Sequence, residues 1–277
     1  MGVKPNLEGF SVDLKGKVAV VLGASAEGGT GWAIAEALAK NGAKVVVAAR
    51  TFPPLQRLAD KIGGLAVQCD AGEEEQIKAL AQAALDKYGR LDIAVNSAGV
   101  PAMSLISEIE QHHLDLAVRV NLFGMFFFVR HMAKAIGENG SIVLISSMST
   151  THPTVPHGPY AAAKAGTDCM VRYAALEYGP KNIRINSILP GAINSDMAKE
   201  AFANPEFEKA FCYEIPLDRV GYPEDFANAV LFLAGPSYVT GLNWQVNGGN
   251  HVTRFPYMHE MAGGRDAFGS GKVLGDR

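Results

Sequence analysis

The chain has 277 residues, 48% of them hydrophobic and 19% charged, with a formal net charge of −3. That length supports one large α/β domain with a well-buried core and leaves a second domain cramped. Lysines and arginines are scattered rather than clustered, which argues against nucleic acid or an anionic membrane as partner and points to a small molecule.

Apolar, β-branched-rich runs at 18–22, 45–49, 65–69, 91–95, 141–146, 184–189 and 243–246 predict seven strands. Helical patterns separate them. The stretch 31–40 repeats Ala, Ile and Leu at helical spacing, and 73–88 opens with acids suited to a helix N-terminus. Such alternation argues for a mostly parallel sheet with helices on both faces. The triplet Phe126-Phe-Phe128 reads as core, because the same helix carries Leu122, Met125, Val129 and Met132. The Gly-rich end, 263–277, reads as an appendage.

Gly23-Ala-Ser-Ala-Glu-Gly-Gly-Thr-Gly31 follows the first predicted strand and opens the first helix. In a doubly wound sheet this turn receives a pyrophosphate: glycines let the backbone approach, and the helix N-terminus supplies amide donors and a positive dipole. Far downstream stand Tyr160 and Lys164, four residues apart and hence on one helix face. A phenol titrates near 10, so working near neutrality requires roughly 4 kcal/mol. An ammonium about 4.5 Å away, at an effective dielectric of about 20, supplies most of that. The pair is therefore expected to act as an acid or base.

These pieces resemble the short-chain dehydrogenase/reductase family from about residue 14 to residue 249. Asp13-Leu-Lys-Gly-Lys-Val-Ala-Val-Val-Leu-Gly23 looks like its opening strand, Asn96-Ser-Ala-Gly99 like its Asn-Asn-Ala-Gly turn, and Pro190-Gly191 like its post-strand turn. Gly221-Tyr-Pro-Glu-Asp225, Thr240-Gly241 and Val246-Asn-Gly-Gly249 are similar to its closing motifs. One departure stands out. Five residues separate Gly23 from Gly29 where the family has three, so Ser25, Ala26 and Glu27 form a longer loop. The resemblance implies a single doubly wound (Rossmann) domain over residues 1–250, with a substrate lid at about 195–216, followed by an extension at 251–277. It also implies a homodimer or homotetramer.

By the same resemblance the cofactor contacts fall on Gly23, Ser25, Gly29, Thr30 and Gly31 for the pyrophosphate turn, and on Asp70 and Ala71 beside the adenine. Asn96, Ala98 and Gly99 take the ribose side, and Pro190, Gly191, Ile193 and Ser195 the nicotinamide. At the end of the second strand, NAD enzymes of this type place an acid, whereas an Arg accommodates a 2′-phosphate. Here Ala49 stands in the acid's place, followed by Arg50 and Thr51. This favours NADP(H) over NAD(H), with a solvated Arg50 and bound NAD as the duller alternative.

For catalysis the resemblance implies Asn121, Ser147, Tyr160 and Lys164. Tyr160 exchanges a proton with the substrate oxygen, and Ser147 stabilises charge on that oxygen. Lys164 lowers the Tyr160 pKa and holds the nicotinamide ribose, and Asn121 anchors a water that leads to Lys164. Met103, Met148, Met197, Phe202, Phe207, Phe211, Cys212 and Tyr213 are the expected pocket and lid side chains. The substrate is accordingly a small, largely apolar ketone or secondary alcohol. Alternatives are a 3-oxoacyl-[acyl-carrier-protein] reductase, which needs a basic docking patch that Arg119, Arg130 and Arg172 are too dispersed to supply, and a non-catalytic dinucleotide-sensing protein. The segment from His251 to Glu260 covers its own pocket, reaches a neighbouring subunit, or packs as a surface strap.

Other signals carry less. Cys69, Cys169 and Cys212 lack paired spacing, residues 1–10 lack a signal peptide's apolar core, and runs such as 122–129 are too short to span a bilayer. A cytoplasmic protein is expected. The histidines, His112, His113 and His152 among them, form no compact metal cluster, so no metal is expected; His157 lies near enough to the reactive loop to touch substrate. Gly269-Ser-Gly-Lys272 lacks the spacing of a phosphate loop.

Overall fold

The computed structural model describes residues 11–195 and 199–262. Its seven strands are β1 (Val18–Leu22), β2 (Lys44–Ala49), β3 (Leu65–Gln68), β4 (Ile93–Asn96), β5 (Gly140–Ile145), β6 (Ile183–Pro190) and β7 (Asn243–Val246). All pair in parallel, in the order β3-β2-β1-β4-β5-β6-β7. Every predicted run became a strand, shifted by at most two residues. The largest shift is at β4, where Asp92 precedes the strand and accepts from the Val18 amide at 3.0 Å.

The helices among the described residues are α1 (Thr30–Lys40), α2 (Phe52–Ile62), α3 (Glu74–Tyr88), α4 (Gln111–Val118), α5 (Gly124–Ile136), α6 (Gly158–Tyr178), α7 (Lys199–Phe202), α8 (Pro205–Glu214), α9 (Pro223–Ala234) and α10 (Met258–Met261). Because strand side chains alternate between faces, the sheet feeds two cores. Ala19, Val21, Val45, Val47, Ile93 and Val143 pack with Ile34 and Leu38 of α1 and Val230 of α9. Val18, Val20, Leu22, Val46, Ala94 and Ile142 pack on the other face with Leu80 of α3, Phe128 and Met132 of α5, and Val171 of α6. A fully buried side chain such as Phe128 contributes about 1.5–3 kcal/mol.

Two expectations change here. Phe128 is buried, but Phe126 is 49% exposed, because consecutive helical residues point about 100° apart and three in a row cannot share one stripe. The apolar run around 122–129 is also not short: α4, a π-helical turn at Arg119–Phe123 and α5 continue into one another over Gln111–Ile136. By length and composition that span is long and apolar enough to cross a membrane, yet half of its most apolar window is packed inside the fold.

Candidate active site

Strand order reverses around β1 and β4: β2 lies on one side of β1, while the chain after β3 returns to the other. The crevice at the carboxyl ends of these strands is where such sheets bind ligands. Gly23 ends β1 with φ +92° and is pressed against the turn after β4, so that a Cβ there would lie 2.5 Å from the Ala98 amide nitrogen. A Cβ on Gly31, in the first turn of α1, would lie 2.3 Å from the Gly23 carbonyl oxygen. Glycine is thus required at both positions, because each packs against neighbouring backbone with no space for a side chain. The lengthened loop closes on itself through Gly29 N–H to Ala26 O at 2.9 Å.

The other end of the crevice is built by β5 and α6. Ser147 is extended just past β5 and accepts from the Ser149 amide (3.2 Å) and hydroxyl (2.9 Å). Two residues into α6, the Tyr160 amide donates to Ala102 O at 3.2 Å, tying the helix start to the loop after β4. Lys164, one turn further, is buried, donates to Ile145 O at 2.7 Å, and places Nζ 5.9 Å from the centre of the Tyr160 ring. Asn121, buried in the π-helical turn, clips the β4 loop, accepting from Val100 N–H (3.2 Å) and donating to Val100 O (3.0 Å).

The electrostatics depart from expectation. Burial holds the Tyr160 phenol above its ordinary range; the Ser147 hydroxyl pulls it down, and Asp168 pushes it further up. Lys164 Nζ stands 5.9 Å from the centre of the ring, and desolvation of the phenolate prevails. Burial also lowers Lys164 itself to about 8, with the Asp168 carboxylate acting in the opposite direction.

Glycine turn and reactive residues share one cavity of about 660 Å³. Gly23, Gly29, Thr30, Gly31, Ala98, Gly99, Tyr160, Lys164, Pro190, Gly191, Ile193 and Ser195 line it, together with Ser147. Its far wall is apolar: Met103, Val155, Phe202, Phe207, Phe211, Phe255, Met258 and Met261. The extension after β7 therefore covers its own chain's pocket. Phe202, Phe207, Phe211 and Phe255 stack edge to face or tilted in series, with centroids 5.1–6.2 Å apart.

Several predicted contacts lie outside this lining. Ser25, Arg50, Thr51, Asp70, Ala71, Asn96 and Asn121 are not part of the wall. Asp70 is engaged locally, accepting from Gly72 N–H at 2.8 Å and pairing with Arg119 at 3.5 Å, and buried Ala71 abuts Gly124. Buried Asn96 accepts from Ala98 N–H at 3.0 Å, while its amide nitrogen has no partner. Arg50 and Thr51 are exposed at the carboxyl end of β2. Of the expected pocket residues, Met148 is fully buried, Cys212 and Tyr213 do not reach the cavity, and Asp196 and Met197 lie outside the described residues, as does Gly269-Ser-Gly-Lys272. Sequence reasoning missed Asp168; Phe255 and Met258 belong to the 251–260 segment, for which covering its own pocket was one of three expectations. Among the described residues no group of three or more His, Cys, Asp or Glu could hold a metal ion.

Residues 23–251 match the family model described as enoyl-(acyl carrier protein) reductase. The 7alpha-hydroxysteroid dehydrogenase of Escherichia coli K12 is 36% identical over 85% of this chain and 94% of its own length. The 3-oxoacyl-[acyl-carrier-protein] reductase of Vibrio cholerae is 34% identical over 87% of this chain and all of its own. A Sinorhizobium meliloti 1021 chain, solved as a candidate short-chain alcohol dehydrogenase, superposes with a TM-score of 0.80 at 31% identity, covering 87% of this chain and 98% of its own.

Proposed function

The chain belongs to the short-chain dehydrogenase/reductase family of NAD(P)-dependent oxidoreductases, and on that premise we propose that it interconverts a largely apolar ketone and secondary alcohol using NADP(H). One observation carries the reading. Ser147, Tyr160 and Lys164 meet in a cavity that runs from the glycine turn to a wall of phenylalanines. The turn suits a dinucleotide, since Gly23 and Gly31 let the start of α1 pack directly on the ends of β1 and β4 and both line the cavity beside Gly29 and Thr30.

In this reading Gly23, Gly29, Thr30 and Gly31 hold the pyrophosphate, Ala98 and Gly99 border a ribose, and Ile193 and Ser195 orient the carboxamide. The bound nicotinamide supplies or accepts the hydride. Tyr160 gives its proton to the carbonyl oxygen in reduction and takes it back in oxidation. Ser147 donates to the same oxygen as charge develops there. Asn121 holds the Val100 backbone in place, so that Gly99, Lys164 and Tyr160 keep their register.

The pH dependence has a definite sign. Reduction needs the Tyr160 proton, and burial raises that group's pKa; ketone reduction is expected to hold through neutrality and fall only as the phenol ionises at alkaline pH. Alcohol oxidation needs the ionised phenol and is expected to rise with pH over the same range. Profiles of kcat/KM in both directions, across a panel of apolar alcohols and ketones, test this. Absence of any nucleotide-dependent turnover across the panel would sink the proposed activity.

Preference for NADP(H) rests on the end of β2, where Ala49 offers no carboxylate and Arg50 is exposed. Glu27, the one acid in the lengthened loop, pairs with Arg57 of α2 at 3.6 Å, which blunts its repulsion of a phosphate. Arg50→Asp is expected to weaken NADPH binding by roughly 10- to 100-fold, the range for hydrogen bonds to a charged group, and to weaken NADH much less. Fluorescence titration of both nucleotides measures it; equal changes for the two would reverse the assignment.

A carrier-protein substrate, the one named for the Vibrio relative, draws less support. Arg119 is bound to Glu73 at 2.8 Å, Arg130 to Glu74 at 2.8 Å, and Arg172 to the Asn243 side chain at 2.6 Å. Exposed Phe123 and Phe126 near the start of α5, with Tyr173 and Leu176 on α6, support assembly as a homodimer or homotetramer.

A further inference from the structure

Lys164 is 2% exposed, and its ammonium donates to the neutral Ile145 O. An ammonium removed from water without a counter-charge gives up its proton. Asp168 sits one helical turn further along α6, four residues on, so the two side chains rise from the same face. It is itself buried, 7% exposed. Its carboxylate is not loose: Ser187 of β6 donates to Oδ1 at 2.9 Å, and Asn243 of β7 donates to that Ser187 hydroxyl at 2.7 Å. Arg172 completes the chain by donating to Asn243 Oδ1 at 2.6 Å and to the Asp168 backbone carbonyl at 3.0 Å.

We propose that Asp168, anchored through Ser187 and Asn243 to the neighbouring strands, is the positioning residue that keeps Lys164 cationic beside the reactive phenol. The inference rests on the oxidoreductase reading for its purpose but not for its test. Groups facing the pair from other elements are neutral: the Ile145 carbonyl of β5, the Ser146, Ser147 and Thr150 hydroxyls after it, the Asn121 amide of the π-helical turn, and Ser187 of β6. On α6 itself the other ionisable neighbours are Tyr160, with the His157 ring against it at 6.2 Å, and the Arg172 guanidinium, which binds the Asp168 backbone carbonyl rather than its carboxylate. Burial raises Asp168 and lowers Lys164, while each charge works against the other's shift. The Asp168 carboxylate does not line the cavity; it acts on Lys164, and its charge also adds to the burial that holds the Tyr160 phenol up.

The test reads the lysine directly. In protein carrying 15N-lysine, the side-chain resonance absent from K164R belongs to Lys164, and its pH titration gives the ionisation in the full chain without nucleotide or substrate. The wild-type resonance is expected to titrate near 8. In Asp168→Asn the midpoint is expected to fall so that proton affinity drops at least tenfold, with Asp168→Glu recovering most of the loss. Ser187→Ala, which loosens the carboxylate without removing it, is expected to produce a smaller fall and serves if the Asn variant does not fold. A Lys164 midpoint unmoved in Asp168→Asn, or in Ser187→Ala where that variant must stand in, overturns the proposal. Because no turnover is measured, failure here leaves the oxidoreductase reading intact, and failure of the substrate panel leaves this coupling intact.

Discussion

Replacing Tyr160 by Phe is expected to lower kcat/KM by about 10²- to 10⁴-fold, the range that a positioned general acid contributes. That corresponds to about 3–5 kcal/mol of transition-state stabilisation. The substitution removes one oxygen and keeps the ring, and the ring carries the local packing: it lies beneath Lys164 Nζ and edge-on to His157. The backbone contact to Ala102 O is unaffected by the side chain. Nucleotide affinity and thermal stability are therefore expected to stay near wild type while turnover collapses, a separation that steady-state kinetics and a melting curve record together. Wild-type turnover in Tyr160→Phe would remove the phenol from the mechanism.

The size of that loss reflects how few groups can replace the phenol. The Ser147 hydroxyl oxygen already accepts twice from Ser149, which leaves its single hydrogen free to be donated towards the Tyr160 side. It can stabilise a developing oxyanion but holds no spare proton to deliver. Lys164 is buried and engaged with Ile145 O. His157 lines the cavity, yet burial lowers its pKa, so at neutral pH it is a weak proton source. In the proposed reaction the task falls to Tyr160, whose raised pKa would keep the proton in place until the carbonyl oxygen takes it.

Much of this was legible in the sequence, and what was not has physical reasons. The strand runs read correctly because strands buried on both faces must be apolar throughout, as at Val18–Leu22. The glycine turn read correctly because no other residue tolerates the approach of Gly23 to Ala98. Asp168 escaped notice because an acid among the polar positions of a helix ordinarily faces water, and only the neighbouring strands show that this one faces Ser187. For Phe255 and Met258 the sequence left three placements of their segment open, because nothing local tells a residue beyond the last strand where its segment will fold back. The Tyr160–Lys164 spacing gave the proximity of the pair, but its electrostatics depend on burial, which spacing does not encode. For the same reason, Arg50 and Asp70 could be located at their strand ends without revealing that one is exposed and the other engaged by Arg119.

Gly31→Ala is expected to weaken NADPH binding at least 100-fold, measured by fluorescence titration, and to lower the melting temperature by several degrees, measured by calorimetry. The added carbon would lie 2.3 Å from the Gly23 carbonyl oxygen and 2.9 Å from its carbon, and both are backbone atoms with no rotamer to escape into. Gly23 cannot retreat, because its own far side faces Ala98 N within 2.5 Å of where a Cβ would be. Relief must come from moving α1 off β1, which disturbs its packing on α9 through Ile34 and Val230; overpacking of this kind costs about 1–3 kcal/mol, which in a chain this size shifts the melting point by a few degrees per kcal/mol. The same displacement swings the amides at the N-terminus of α1 away from the pyrophosphate position, so binding suffers more than stability. Gly179→Ala is the control for binding: beyond its chain neighbours and its own helix nothing lies within 4 Å of the new carbon, and the site does not line the cavity. It is expected to leave NADPH binding unchanged, with a small loss of stability because Gly179 is helical (φ −53°) and precedes Pro180, whose ring crowds an added Cβ. If Gly31→Ala bound NADPH as tightly as Gly179→Ala, the turn between β1 and α1 would not be the pyrophosphate site.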